Sequence, residues 1–146
     1  MREIMYIDMD NVIVDFQSGI DQLDDETLEA YKDNYDEVPG IFSLMKPMPG
    51  AIEAVKTISK YYEVYVLSTA PWLNPSAWKD KVEWIHRHFG KGKDSALYKR
   101  LIISHHKNLN EGDYLIDDRT KNGVADFKGH HIHFGQSGAE TWDDVM

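Results

Sequence analysis

Short, unbroken apolar runs closed by polar residues recur along the chain at residues 4–7, 64–67, 101–103 and 114–116. Runs that are continuous rather than alternating fit strands buried on both faces of a parallel sheet. Residues 130–134 predict a fifth strand. Between the runs the apolar spacing becomes helical. Ala51, Ile52, Val55, Ile58 and Tyr62 form one stripe. Trp78, Val82, Ile85 and Phe89 form a second at i, i+4, i+7 and i+11, opened by Asn74-Pro75 and stopped by Gly90. Residues 140–146 predict a short terminal helix. Strands alternating with helices imply an α/β fold with a parallel sheet and right-handed crossovers.

The first strand is followed by something different. Phe16, Ile20 and Leu23, then Leu28, Tyr31 and Tyr35, have the spacing of two short helices, with Asp24 or Asp25 available to cap the second. Pro39-Gly40 interrupts the pattern, and Pro47, Pro49 and Gly50 end it. Residues 17–48 therefore read as a helical insert over the end of the first strand, with residues 1–16 and 49–146 as the core domain.

Composition narrows the chemistry. The chain has 146 residues, enough for one domain with its own core, and no cysteine, which excludes disulfides, thiolate metal sites and cysteine nucleophiles. It has no run near the ~20 apolar residues of a membrane span, and its first residues lack the apolar segment of a secretory signal. The expectation is a soluble, cytoplasmic protein. A net charge of −9 argues against polymeric nucleic acid as a partner. Eight of the acidic residues fall within residues 21–37, against Lys32 alone.

The polar residues closing the runs carry the candidate chemistry. Asp8 and Asp10 follow the first strand, and the chain must leave strand geometry near Met9 for both to face one spot. Asn11, which tolerates unusual backbone angles, sits at that turn. Thr69 ends the second strand, Lys107 follows the third, and Asp117-Asp118 ends the fourth. Singly these are turn hydroxyls, solvated charges and helix caps. A parallel sheet, however, brings all four ends to one edge, where ligands bind in open α/β folds. Acid pair, hydroxyl, lysine and acid pair then compose a Mg²⁺-phosphoryl site.

In these ordered motifs the chain resembles the haloacid dehalogenase (HAD) superfamily of phosphohydrolases. More narrowly it resembles the 5′(3′)-deoxyribonucleotidase family. The supporting stretches are residues 8–16, Leu67-Ser68-Thr69-Ala70-Pro71-Trp72, residues 81–90, Leu115-Ile116-Asp117-Asp118-Arg119 and Thr141-Trp142-Asp143-Asp144. The resemblance implies a HAD-like three-layer α/β/α sandwich, Rossmann-like, with residues 17–48 as a small helical cap. It implies a Mg²⁺-dependent phosphomonoesterase acting on deoxyribonucleoside monophosphates through an aspartyl-phosphate. Asp8 is then the nucleophile, Asp10 the general acid and base, and Lys107 the charge neutraliser. The metal would be held by Asp8, the backbone carbonyl of Asp10, and Asp117 or Asp118. Thr69, Ala70 and Asn11 would bind the phosphoryl group, and Phe16, Phe42 and Trp72 would offer surfaces to a base. The partner expected is a small phosphomonoester, and the resemblance leaves room for a homodimer. A HAD phosphatase for another ester, or a non-enzymatic receiver-like phosphoacceptor, are the alternatives.

The chain departs from its relatives in three places. Asn11 stands where many have glycine. His105 stands where nucleotidases carry arginine, which implies a weaker phosphate contact dependent on pH. The cap is short. His131 and His133 share a strand face and suggest a metal pair, but an exposed edge-strand face is the expected reading.

Overall fold

The computed structural model describes residues 2–135 and 140–146. Five strands, β1 (Ile4–Ile7), β4 (Glu63–Ser68), β5 (Leu101–Ile103), β6 (Tyr114–Asp117) and β7 (His130–His133), form one sheet in the order β5-β4-β1-β6-β7. Every pairing in it is parallel, as the continuous apolar runs predict. The central strand is β1, where Ile7 is fully buried and lies level with Val66 and Ile116. That register sets Asp8, Ser68-Thr69 and Asp117 side by side where the strands end.

Helices α3 (Ala51–Ile58) and α4 (Pro75–Phe89) pack into the main core, which also takes Met5, Ile7, Val64 and Val66 from the sheet. The other sheet face buries Tyr6, Leu67 and Leu115. It is covered by Val124 and Phe127 around a 3₁₀ turn (Val124–Asp126) rather than by an α-helix. Connections 104–113 and 118–129 are too short to hold a long helix and still return to the sheet, so the third layer is thin.

The stripe of α4 is rotated from the one the aromatic spacing suggests. Ile85 and Phe89 are buried as expected, each burial of this kind being worth roughly 1.5–3 kcal/mol. Trp78 is half-buried and Val82 faces solvent; their places in the buried row go to Ala77, Lys81 and Trp84. Asn74 is at the N-cap position but does not cap. Its amide instead donates to the carbonyls of Asp36 and Val38, at 2.9 and 3.0 Å.

The insert is framed by an antiparallel pair, β2 (Val14–Asp15) with β3 (Lys46–Pro47), which the apolar pattern did not announce. Within it lie α1 (Phe16–Ile20) and α2 (Asp25–Ala30), the latter capped by Asp24, whose side chain accepts from the Thr27 N–H at 2.7 Å. Its two ends differ. No residue of α2 is buried, whereas Ile41, Phe42 and Met45 belong to the main core and the Trp84 indole donates to the Met45 carbonyl at 2.9 Å. Gly19 permits this anchoring: a Cβ there would lie 2.8 Å from Met45. The last helix, α5 (Trp142–Val145), opens with a Thr141–Asp144 capping box, and the Trp142 indole donates to the Val12 carbonyl at 2.6 Å. This contact braces the loop after β1 from behind. No helix among the described residues is long and apolar enough to cross a membrane.

Candidate active site

The site begins with the loop after β1. The Met9 carbonyl accepts from the N–H groups of Val12, Ile13 and Val14 at 3.1, 2.8 and 2.9 Å, winding the chain tightly around it. Asn11 takes φ +61°, as its place in the turn requires, and its side chain accepts from the Phe16 N–H at 3.3 Å. The turn brings Asp8 and Asp10 to one recess, which Thr69, Lys107, Asp117, Arg119 and Asn122 also line.

Each of the first two carboxylates has its own lysine. Lys107 is buried and donates to Asp8 at 3.0 Å and to Asp117 at 2.6 Å. Burial works against the Lys107 charge, but Asp8 and Asp117 outweigh it and hold its pKa above the ordinary lysine range. Lys81 is fully buried in α4 and reaches both oxygens of Asp10, at 3.1 and 3.0 Å, and the Ser68 hydroxyl at 2.8 Å. Its ammonium lies 4.5 Å from the centre of the Phe42 ring. The sequence reading missed Lys81. The available signal was its register with Ala77 and Trp84, at i, i+4 and i+7, which places a lysine in a buried helical row.

Asp8, Asp117 and Asp118 each bring a carboxylate oxygen within 4.8 Å of one another. Both Asp117 oxygens are engaged, one by Lys107 and the other by the Arg119 N–H at 3.0 Å. By contrast, one Asp118 oxygen is buried with no partner, which is costly unless something else meets it. Burial, then the charge of Asp8, pushes the Asp118 carboxyl up to about 8. Burial also raises Asp8, against the pull of Lys107, and raises Asp10, against the pull of Lys81. Four carboxylates meet two buried ammonium groups here, and Arg119 and Lys121 also line the recess. A hard divalent cation fits the oxygen donors of Asp8, Asp117 and Asp118.

Thr69 lines the recess, but its hydroxyl donates to the Ser104 carbonyl at 2.7 Å, tying the ends of β4 and β5 together, so that proton is committed to the backbone rather than offered to a phosphoryl oxygen. The Lys107 turn is held through its N–H, which donates to the Asn122 carbonyl at 2.6 Å. Gly123 is next to it, at φ +87°, and a Cβ there would collide with the Asn108 side chain and lie 2.9 Å from the Lys107 nitrogen. Gly123→Ala is therefore expected to lose more than ~1 kcal/mol of stability in urea melts, from the positive φ alone, and to lower turnover by shifting Lys107.

Above the recess opens a cavity of ≈620 Å³, lined on the insert side by Phe16, Asp33, Tyr35 and Phe42 and on the core side by Trp72, His105 and Arg119. The residues singled out from sequence differ in what they offer it. Trp72 is 77% exposed and presents a free ring. Phe42 is buried, meets Phe16 edge-on and has Lys81 over its face. Ala70 is buried, and its carbonyl accepts from the His105 Nε2–H at 2.8 Å. His105 also meets Trp72 edge-on and packs against Trp78, so its ring shapes the loop after β4.

The chain is similar to several known proteins. The family described as "5′ nucleotidase, deoxy (Pyrimidine), cytosolic type C protein" matches residues 24–145. A Vibrio phage KVP40 protein named 5′(3′)-deoxyribonucleotidase is 57% identical over 145 residues, covering 99% of this chain and 83% of its own. A Staphylococcus aureus protein of the same name is 34% identical over 96 residues, or 66% of this chain and half of its own. At the level of fold, a haloacid dehalogenase-like hydrolase from Xanthomonas campestris aligns over 91% of this chain and 82% of its own at TM-score 0.54 and 12% identity. A Bacillus subtilis HAD-hydrolase, solved with magnesium bound, aligns over 92% of this chain and 87% of its own at TM-score 0.55 and 14% identity. The chain is a HAD-fold phosphatase and belongs to this 5′ nucleotidase family.

Proposed function

We propose that the protein is a Mg²⁺-dependent 5′(3′)-deoxyribonucleotidase that hydrolyses deoxyribonucleoside monophosphates through a phosphorylated Asp8. The observation that carries this reading is the stacking of a buried acid–lysine recess beneath a cavity large enough for a nucleotide. Residues 17–48 serve as the cap, with the α2 segment as the part free to move.

In the scheme, an Asp8 carboxylate oxygen attacks phosphorus. Asp10 gives its proton to the departing ester oxygen, and burial, by raising the Asp10 pKa, favours the protonated form this needs. Asp10, now anionic, is met by Lys81, then takes a proton from the water that attacks the aspartyl-phosphate and releases inorganic phosphate. Lys107 stays beside Asp8 and offsets the charge that builds on the phosphoryl oxygens. Asp8 and Asp118, with the Asp10 backbone carbonyl, would hold Mg²⁺, and Asp117 would orient Lys107. Mg²⁺ when bound supplies the positive charge that lets two anions, carboxylate and phosphate, approach each other.

Trp72 is the surface best placed to stack on a base, a contact worth roughly 1–3 kcal/mol. The acidic insert disfavours a polyanionic strand at the entrance, while a monophosphate brings only about two charges. We therefore expect kcat/KM to be highest for dTMP or dUMP, lower for glucose 6-phosphate and lowest for a 5′-phosphorylated decamer. Trp72→Ala should reduce only the nucleotide values. If the sugar phosphate or the decamer is preferred, the nucleotide reading fails and a phosphatase for another ester takes its place.

A further inference from the structure

The strand β7 carries His131 and His133 on one face, their rings stacked with centroids 5.1 Å apart and planes 23° apart. Both are half-buried, although β7 is an edge strand, because both rings turn back over the end of β6. The Nε2 of His131 lies 3.0 Å from the Asp117 carbonyl oxygen, and that of His133 lies 2.8 Å from the Asp118 carbonyl oxygen. A carbonyl only accepts, so each ring must carry a proton on Nε2 and donate it. The Asp117 carbonyl also accepts from the Phe134 N–H at 3.0 Å, a contact the sheet itself supplies. Asp118 lies one residue beyond β6, past the last registered pair, Asp117 with His133. The histidine ring thus extends the pairing of these strands to a carbonyl that sheet geometry no longer reaches.

We infer that His131 and His133 are positioning residues, an imidazole clamp that fixes the backbone of Asp117 and Asp118 and so aims their carboxylates. This rests on the proposed metal role of those acids. The two side chains differ in what else holds them: Asp117 is gripped by Lys107 and the Arg119 N–H, whereas Asp118 has a buried oxygen with no protein partner and depends more on its backbone. Donors behind metal ligands commonly govern affinity by about 10- to 100-fold. Here the donor acts one step further back, through the peptide group, which is rigid enough to transmit the constraint.

The test is calorimetric titration of Mg²⁺ into the full chain without substrate, alongside the melting temperature. His133→Phe and His131→Phe keep the ring and its stack but remove the N–H, whereas His133→Gln returns a donor near the Nε2 position. Each Phe variant should raise the Mg²⁺ Kd about tenfold, more for His133, while His133→Gln should recover most of the loss. With saturating Mg²⁺, kcat should approach that of wild type. Folded Phe variants with unchanged Kd overturn the clamp, and so does His133→Gln failing as badly as His133→Phe, which would assign the effect to ring packing. If wild type itself shows no Mg²⁺ binding beyond that of Asp118→Asn, the metal reading fails and takes the clamp with it. Should the single Phe variants melt too low to titrate, His131→Leu and His133→Leu, smaller and likewise without the N–H, decide the matter: a Kd raised about tenfold over that of His133→Gln supports the clamp, and an equal Kd overturns it.

Discussion

Asp8→Asn is expected to lower kcat on para-nitrophenyl phosphate by ~10⁴-fold or more, the scale on which enzymes lose a covalent nucleophile. The amide keeps the shape of the carboxylate but cannot attack phosphorus. The fold should survive, for a local reason. Lys107 holds Asp117 at 2.6 Å as well as Asp8 at 3.0 Å, so removing one anion does not leave a buried ammonium alone. Removing the Asp8 charge also takes away one of the causes that push Asp118 up. Urea melts should accordingly place the variant close to wild type, and acid-quenched protein should contain no phosphoenzyme. Near wild-type turnover by Asp8→Asn would show that another group attacks phosphorus.

What the sequence made legible follows from where the strands end. Asp8, Thr69 and Asp117 stand where short apolar runs end and Lys107 follows a few residues after another, and a parallel sheet must gather such ends on one edge. Register then does the rest, since Ile7 is level with both Val66 and Ile116. Lys81 was hidden for the opposite reason. It sits mid-helix, and apolar periodicity takes a lysine as evidence of a solvent face, whereas this one is buried by the charge of Asp10 rather than by its own hydrophobicity. Val82 was placed inside by the same rule and lies outside. His131 and His133 were legible as sharing a face, but what they do depends on the neighbouring strand, and period-2 alternation carries no information about partners. The insert shows a similar limit. Its helices could be read from Leu28 and Tyr31, but not that Ile41, Phe42 and Met45 complete the main core, because a boundary marked by Pro39-Gly40 looks the same whether the chain beyond it is lid or floor.

These contacts also limit how the insert can move. Residues 41–45 are bound to α4 through Trp84, and the Asp36 and Val38 carbonyls are held by Asn74. Helix α1 is itself packed on residues 41–45 through Gly19, so any closure over substrate is confined to the α2 segment, and Phe42, beneath Lys81, stays with the floor. In the proposed scheme Phe42 would serve catalysis by holding the Lys81 ammonium against Asp10, while Trp72, on the core side of the cavity, would meet the substrate.

Chelation should have the other large effect. EDTA is expected to abolish phosphate release, and Mg²⁺ to restore it better than Ca²⁺. The recess places Asp8, Asp117 and Asp118 oxygens within 4.8 Å of one another, near enough to share one hard cation, and Mg²⁺ would draw them into near-octahedral geometry. Ca²⁺ takes more ligands at longer distances, so it would move the Asp8 oxygen that must reach phosphorus. The two acids after β6 should separate in this assay. Asp118 has a buried oxygen with no protein partner, so Asp118→Ala should raise the Mg²⁺ concentration needed for half-maximal activity most steeply. Both Asp117 oxygens are already occupied by Lys107 and the Arg119 N–H, so Asp117→Ala should raise it less. It should instead lower kcat at saturating Mg²⁺, because Lys107 loses the anion that orients it. The measurement is a Mg²⁺ titration of steady-state rate for wild type and both variants at fixed saturating dTMP. Full activity in EDTA would rule out the metal-dependent scheme, and a larger Mg²⁺ requirement for Asp117→Ala than for Asp118→Ala would exchange the roles of the two acids.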